Sequence, residues 1–326
     1  MDEASSRFVD RIVMDRLLTE KLGTVHHYPT VPLDHMNQDA FDDFRALDPV
    51  GSIAVEADGS ALVLTSPVAC EYLENRVARV LCYNAKCPRA TILFVHGLFD
   101  DSRETYAFML GGLLKAGYSV RLMTLPFHHE RTPACSRFSG EYFWSANVLR
   151  TCRALKQSVY ELYQCHNWLT HTTHQPVFLA GFSMGATVSL MLAALNSAPR
   201  GLFVVNPAGA LSDIVWDSPL CRTIRDDFLA VGCGRKEVTN VFVGFENALS
   251  GGHRMSPNTI CMASALYDEV TKQEQYDAIA SKWNLRHRLR YKAGHLNTLR
   301  LPRLAEDMTR FFDLLMSNVK MESQIQ

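Results

Sequence analysis

The sequence lacks an excess of charge of either sign. Its 33 Lys and Arg residues nearly balance 34 Asp and Glu residues, which leaves a formal net charge of −1. That balance gives no electrostatic basis for binding nucleic acid, so we expect no nucleic-acid partner. A disordered or collagen-like chain is also excluded, because 47% of the 326 residues are hydrophobic and only 21% are charged.

Signals for export and for disulfide bonding are missing as well. The nine cysteines are scattered, and the closest pair, Cys82 and Cys87, is too far apart for a CxxC motif. Scattered thiols are typical of a reducing compartment. The acidic start of the chain is unlike the basic, then apolar, start of a secretory signal. We therefore expect a cytoplasmic protein.

One uncharged run, Val177 to Leu195, is nearly long enough to cross a bilayer. Glycines within its first half favour a strand, a tight turn and a buried helix instead. We therefore predict no transmembrane segment.

The hydrophobic pattern divides the chain into an N-terminal extension, residues 1–50, and a larger domain, residues 51–320. A helix is predicted over residues 8–22, because apolar residues recur there at helical spacing: Phe8, Val9, Ile12, Val13 and Leu17. We expect this helix to pack on the domain, and a homodimer contact is the alternative. Residues 24–50 predict an ordered loop.

Two patterns follow one another within the larger domain. Short β-like runs separated by turn residues predict antiparallel hairpins from about residue 52. After Pro88, apolar strands alternate with helices, as in a parallel sheet covered on both faces. The alternation is interrupted at about 208–256, where a helix is predicted over 211–230 and a glycine-rich run follows. We expect a small helical lid over the carboxyl ends of the strands, where such sheets bind ligands; an irregular surface excursion is the alternative.

The strongest chemical signal is the pentapeptide Gly181-Phe182-Ser183-Met184-Gly185, between a strand-like and a helix-like run. A serine in a sharp strand-to-helix turn needs small residues two positions to either side, because a β-carbon there would collide with the backbone. This context predicts that Ser183 is a nucleophile.

A serine nucleophile requires a base within hydrogen-bond reach and a group that orients the base. Asp268 and His295 each follow a predicted strand downstream of Ser183. We therefore predict a catalytic triad of Ser183, His295 and Asp268. Glu269 is adjacent to the acid, and Asp213 follows the preceding strand, so both stay open as alternatives.

This combination of motifs resembles the α/β-hydrolase-fold serine hydrolases over roughly residues 52–318. The resemblance rests on Phe94-Val95-His96-Gly97, the GxSxG pentapeptide, Tyr267-Asp268 and Gly294-His295. It implies an α/β fold with a mostly parallel sheet, antiparallel N-terminal strands and helices on both faces. The segments 125–133 and 139–141 are, in addition, similar to the branch called abhydrolase domain-containing 18.

The resemblance also implies an oxyanion hole and a substrate pocket. The backbone N–H groups of Leu98 and Met184 are the expected oxyanion donors. Side chains near the ends of two strands are candidates for contact with substrate: His96, Phe99, His128, His129 and Arg131. Alternatively, His96 positions the oxyanion loop, and the 128–131 cluster holds that loop through ion pairs with Glu130 or Asp101.

Two further groups of basic residues have simpler interpretations. A metal site is suggested by His166, His171 and His174, the last two of which have HxxH spacing. No carboxylate or second cysteine stands at suitable spacing, so a solvated Thr-rich loop is favoured over a metal site. The alternating Arg286, Arg288, Arg290 and Lys292 predict an exposed strand face, with docking of an acidic acyl-carrier protein as the alternative.

The sequence therefore predicts a serine hydrolase that acts on a small-molecule ester or thioester and requires neither a metal nor an organic cofactor. An acyltransferase, a cyclase or a lyase on the same fold is an alternative. So is a non-catalytic binding protein that keeps the triad unused.

Overall fold

The computed structural model describes residues 2–33, 53–56, 58–196, 199–250 and 254–325. Most of the loop predicted over residues 24–50 lies outside these ranges, as do Gly251 and Gly252 of the glycine-rich run.

The described residues form one nine-stranded sheet with the strand order β1-β2-β3-β5-β4-β6-β7-β8-β9. Strand β2 is antiparallel to its neighbours β1 and β3, and β3 is antiparallel to β5, whereas β4 to β9 are parallel. The expectation of antiparallel strands leading into a parallel sheet is therefore confirmed. The strands are Ile53–Val55, Ala61–Thr65, Val77–Tyr83, Ala90–Val95, Tyr118–Met123, Val177–Phe182, Leu202–Val205, Ile260–Ala265 and His287–Tyr291.

Helices cover both faces of the sheet, which is why every residue of strands β4, β6, β7 and β8 is buried. Along β4, Ile92 and Phe94 face the core beneath α2 and α9, whereas Leu93 and Val95 face α3, α4 and the 208–256 insertion. The α-helices α1 to α9 span Glu3–Glu20, Ala107–Lys115, Val148–Thr172, Met184–Leu195, Leu211–Asp217, Arg222–Ala230, Arg235–Ser250, Gln273–Lys282 and Pro302–Ile325.

The insertion differs from its prediction in two ways. The single helix expected over 211–230 is divided into α5 and α6 by a 3₁₀ turn, Pro219–Cys221. The division occurs at Pro219, which has no N–H for a helical hydrogen bond and clashes with the preceding turn. The glycine-rich part continues as helix α7, Arg235–Ser250, so Gly244 lies inside a helix.

Helix α3 corrects the expectation of a histidine-containing loop. It extends to Thr172 and therefore includes His166 and His171, and His166 is buried at 2% exposure. Burial lowers the pKa of His166 to about 4, so this imidazole is neutral near pH 7. No group of three or more His, Cys, Asp or Glu side chains suited to a metal ion occurs within the described ranges.

Helix α1 begins five residues earlier than predicted and buries a different face. Its N-cap is Asp2, whose side chain accepts a hydrogen bond from the Ser5 N–H at 2.8 Å. Phe8 and Ile12, two of the apolar residues from which this helix was predicted, are 62% and 49% exposed. The buried residues are instead Ser6, Asp10, Met14 and Leu18. The buried carboxylate of Asp10 is tolerated on this inner face because it accepts hydrogen bonds from backbone N–H groups of the domain.

The uncharged run from Val177 to Leu195 is strand β6, a turn at Ser183 and helix α4, as predicted. Among the helices of the described residues, none combines the length and the apolar character that a bilayer crossing requires.

Candidate active site

Ser183 lies in the turn between strand β6 and helix α4. Its φ of 53° and ψ of −120° are unusual for a residue with a side chain. The Ser183 N–H donates to the carbonyl oxygen of Val205, on the neighbouring strand β7, at 2.8 Å. The strained turn is therefore held by the adjacent strand.

The two flanking glycines are required by contacts with backbone atoms. A β-carbon at Gly181 would lie 2.5 Å from the Gly185 oxygen, and one at Gly185 would lie 2.2 Å from the Val95 oxygen. Backbone cannot move aside as a flexible side chain can. The spacing of the pentapeptide thus follows from the close approach of its two ends to each other and from the packing of the turn against β4.

The imidazole of His295 lies beside the Ser183 hydroxyl. Nε2 of His295 is 3.0 Å from Ser183 Oγ, and Nδ1 is 2.7 Å from Oδ2 of Asp268. A carboxylate only accepts hydrogen bonds, so Nδ1 carries the proton that it donates to Asp268. The Nε2 lone pair is then left to accept the hydroxyl proton of Ser183.

Asp268 is held by four donors, and its side chain has no solvent exposure. Oδ1 accepts from the N–H groups of Val270 at 2.7 Å and Thr271 at 2.8 Å. Oδ2 accepts from the Tyr276 hydroxyl at 2.6 Å as well as from His295. Sequence reasoning missed Tyr276, because a tyrosine inside a helix carries no motif that points to this role.

The two alternative acids have other partners. Asp213 pairs with Arg235 at 2.6 Å on the surface. Glu269 pairs with Arg7 at 2.7 Å. Of the three acids considered, the structure brings Asp268 to the histidine.

The environment of His295 favours its charged form. Burial alone lowers the pKa of His295, but the charge and hydrogen bond of Asp268, with a further contribution from the charge of Asp10, raise the pKa above its ordinary value overall. An imidazolium formed during a proton transfer is therefore stabilised at this position.

The loop after strand β4 is pinned on both sides of Leu98. The Gly97 N–H donates to the Tyr106 hydroxyl oxygen at 2.8 Å, and the Phe99 N–H donates to Nε2 of His128 at 3.1 Å. Met184 is the first residue of helix α4, where N–H groups have no partner within the helix. Leu98 and Met184 both line the cavity at Ser183.

The five side chains proposed for substrate contact lie outside the lining of this cavity, so that expectation is corrected. His96 is buried; its Nδ1–H donates to the Gly97 oxygen at 2.6 Å, and Nε2 accepts from the Leu125 N–H at 3.0 Å. His128 donates through Nδ1–H to the Pro126 oxygen at 2.7 Å. Phe99 is buried at 4% exposure. These side chains position the loop from behind.

His129 and Arg131 are also directed into the protein. Burial lowers the pKa of His129 to about 4, so this imidazole is neutral. Arg131 is 1% exposed and forms two hydrogen bonds to the Glu161 carboxylate, at 2.7 and 2.8 Å, and one to the Thr124 oxygen at 2.9 Å. Its charge is neutralised within the core and is not available to an anionic substrate. Glu130 and Asp101, the expected partners of this cluster, pair with Arg103 and Lys21 instead.

The cavity at Ser183 is small and mostly apolar, with a volume of about 80 Å³. An apolar cavity of about 150 Å³ is enough to hold benzene. Helix α1 and the insertion both contribute to the wall, which sequence reasoning did not predict for α1. The apolar lining residues are Val13, Met14, Leu17, Leu98, Trp144, Phe182, Met184, Ala208, Ile214, Leu220, Cys221, Val270 and Leu296.

The basic strand face has an intramolecular partner. Arg288 and Arg290 are exposed on strand β9, and both form ion pairs with Asp277 of helix α8. The alternation of basic residues thus corresponds to the solvent side of an edge strand.

A mostly parallel sheet with antiparallel N-terminal strands, helices on both faces and a strained serine between β6 and α4 defines the α/β-hydrolase fold. A sequence profile described as the alpha/beta hydrolase family matches residues 92–314. The chain therefore belongs to the alpha/beta hydrolase family. A search of curated proteins finds no match.

Solved structures share this fold at low sequence identity. Est1E from Butyrivibrio proteoclasticus is similar with a TM-score of 0.54 and 11% identity, covering 79% of this chain and 99% of Est1E. A soluble variant of monoglyceride lipase from Saccharomyces cerevisiae is similar with a TM-score of 0.51 and 10% identity, covering 77% of this chain and 96% of the lipase chain.

We predict that Glu161→Gln lowers the free energy of unfolding by about 3–5 kcal/mol, because it leaves the Arg131 charge buried without its counter-charge. Urea denaturation measures the change, provided that the slope with denaturant is the same for both proteins. Glu20→Gln breaks an exposed pair with Arg16 and serves as the control, with little expected change. A loss below about 1 kcal/mol for Glu161→Gln would contradict the structural role assigned to this pair.

Proposed function

We propose that this protein is a serine hydrolase that cleaves a carboxylic ester or thioester through an acyl-enzyme on Ser183. The observation that supports the proposal most directly is the continuous hydrogen-bonded chain from Ser183 through His295 to Asp268, with distances of 3.0 and 2.7 Å. Reach between nucleophile and base, and between base and orienting acid, is the geometric requirement for an activated serine.

In the proposed mechanism, Ser183 Oγ attacks the carbonyl carbon of the substrate while His295 Nε2 accepts the hydroxyl proton. The Leu98 and Met184 N–H groups stabilise the negative oxygen of the tetrahedral intermediate, each by about 3–4 kcal/mol. His295 then protonates the leaving alcohol or thiol, which leaves an ester on Ser183. A water molecule, deprotonated by His295, releases the acid and restores the hydroxyl.

The cavity indicates the size and the charge of the acyl group that the site would hold. Most of its lining residues are apolar, and its volume of about 80 Å³ is smaller than the apolar cavity of about 150 Å³ that holds benzene. An uncharged acyl chain of a few carbons therefore fits the site as it stands. The resemblance of residues 125–133 to the abhydrolase domain-containing 18 branch stays a prediction.

We predict that a fluorophosphonate probe labels the wild-type protein at Ser183, and that Ser183→Ala abolishes the labelling. The probe reports an activated serine without requiring the natural substrate to be known. Gel fluorescence and mass spectrometry of the modified peptide measure the result. Ser189 lies on helix α4 within the same run, so Ser189→Ala provides a control for general effects of serine removal.

The outcomes of this labelling separate the alternatives. Labelling together with turnover of a short-chain p-nitrophenyl ester supports hydrolysis. Labelling without turnover favours acyl transfer, cyclisation or lyase chemistry on the same scaffold. A folded wild-type protein that shows neither would be a binding protein, and the hydrolase proposal would be wrong.

We predict that Asp268→Asn lowers kcat by a factor approaching ~10⁴. The amide oxygen would replace Oδ1, which accepts from Val270 and Thr271. The NH₂ group would then face His295 Nδ1, which would lose its proton to accept that donor, so Nε2 would carry the ring proton and could not receive one from Ser183. Ester turnover measures the effect; an unchanged kcat would assign the orienting acid elsewhere.

We predict that the wild-type protein has a higher kcat/KM for p-nitrophenyl butyrate than for p-nitrophenyl decanoate. Leu17→Ala should lower the ratio of the two kcat/KM values by about tenfold. The change shortens a side chain of α1 that lines the cavity. Ratios of kcat/KM for the two esters measure the effect. Ile12→Ala, on the exposed face of the same helix, is the control. An unchanged ratio in Leu17→Ala would show that this cavity does not hold the acyl chain.

A further inference from the structure

A second carboxylate reaches His295 from the N-terminal helix. Asp10 of α1 is 1% exposed. Its Oδ2 accepts from the backbone N–H of His295 at 2.6 Å, and its Oδ1 accepts from the N–H of Leu296 at 3.2 Å. Oδ2 also lies 3.4 Å from the N–H of Glu269, on the loop that carries Asp268. One side chain therefore joins the histidine loop to the acid loop.

The residue before His295 shows how closely this carboxylate fits. A β-carbon at Gly294 would lie 2.6 Å from Oδ2 and 2.7 Å from Cγ of Asp10. The volume that any larger residue at 294 would need is therefore occupied by Asp10. The glycine of the Gly294-His295 pair is explained by a residue 284 positions earlier in the sequence.

Helix α1 is also tied to the acid loop by ion pairs. Arg7 and Arg11 contact Glu269 at 2.7 and 3.2 Å. Asp10 lies between these surface pairs and the buried triad, on the face of α1 that includes Met14, a cavity-lining residue. The helix thus contacts both loops and the acyl cavity.

We propose that Asp10 is a positioning residue for His295. It holds the histidine backbone while Asp268 orients the ring, and its charge stabilises the imidazolium, so the N-terminal helix is part of the active site. The inference rests on the proposed serine-hydrolase function. Displacing a reacting group by about 1 Å can slow a reaction by about 10²-fold. A residue that fixes the position of the histidine backbone therefore has a measurable effect on the rate.

The charged and titratable groups around this position set the expected pH effect. His295 faces Asp268 and Asp10, Asp268 also contacts Tyr276, and Asp10 contacts the Glu269 amide. Burial raises the pKa of Asp10, and hydrogen bonds from His295 and Leu296 oppose that rise. The charge of Asp10 adds to the raised pKa of His295. Removing that charge should therefore lower the pKa of His295.

The test is the rate of fluorophosphonate labelling as a function of pH, for wild type and Asp10→Asn in the full chain. His295 acts as a base only when neutral, so labelling is lost as pH falls through its pKa. We expect Asp10→Asn to slow labelling on the pH plateau by about tenfold to hundredfold and to move the acid midpoint to lower pH. The side-chain amide in this variant would place its NH₂ group against one of the two backbone N–H groups, so one hydrogen bond would be lost. The amide also carries no negative charge.

Two further variants separate charge from general damage. Asp15→Asn makes the same chemical change on the exposed face of α1 and should leave both the plateau and the midpoint as in wild type. Asp10→Glu keeps the charge but adds a methylene to a filled space, so it should lower the plateau while the midpoint stays near the wild-type value.

Each remaining outcome decides the matter. If Asp10→Asn has the wild-type labelling rate on the pH plateau and the wild-type acid midpoint, the proposal is overturned. A slower labelling rate with an unchanged midpoint would also overturn it, because that result indicates a loss of packing alone. If Asp10→Asn does not fold, as judged by circular dichroism, Gly294→Ala displaces the carboxylate instead, and an unchanged labelling rate there would overturn the proposal. Absence of labelling in wild type would contradict the hydrolase function rather than the role of Asp10.

Discussion

The close approach of one turn to a neighbouring strand is the constraint on which the rest of this structure depends. Helix α4 begins so near strand β4 that a β-carbon at Gly185 would lie 2.2 Å from a backbone oxygen. Ser183, in the turn between strand β6 and helix α4, is held at a positive φ. Such a conformation costs on the order of 1–3 kcal/mol and persists only where its surroundings over-determine it. Here a buried parallel sheet and the hydrogen bond to Val205 supply that restraint. The result is a hydroxyl presented at the carboxyl end of the sheet.

The groups that face this hydroxyl come from two loops that the sheet brings together. The loops after β8 and β9 are adjacent because those strands are adjacent, and a network of carboxylates and backbone amides joins them. Asp268 accepts from four donors, while Asp10 accepts from the histidine loop and approaches the acid loop. In a low-dielectric interior, oriented groups of this kind stabilise charge without reorganising at the moment of reaction. An N-terminal helix that looks peripheral in the sequence is thereby joined to the site.

Behind the oxyanion loop, residues that are often ligands serve as structural supports. His96 and His128 bind backbone groups of the loops that carry Leu98 and Leu125. Arg131 forms an ion pair with Glu161 inside the core. A histidine or arginine near a strand end has the same chemical capacity in either role. Burial decides between the roles, because a buried polar group must be hydrogen-bonded by whatever lies next to it. The sequence could show the cluster but not which way its side chains point.

Contacts between residues close in sequence allowed part of this structure to be predicted from the sequence alone. The period of apolar residues predicted the alternating strands and helices, and the glycines around Ser183 predicted a turn, since both patterns follow from contacts within a few residues. The order of Ser183, Asp268 and His295 predicted the groups that the fold brings together, with His295 lying 3.0 Å from Ser183 and 2.7 Å from Asp268. The buried face of α1, the partners of Arg131, the contribution of Tyr276 and the position of Asp10 were decided only by tertiary structure. Each depends on a contact between segments that are far apart in sequence. No local pattern specifies which side chain or backbone group will lie opposite a given residue in such a contact.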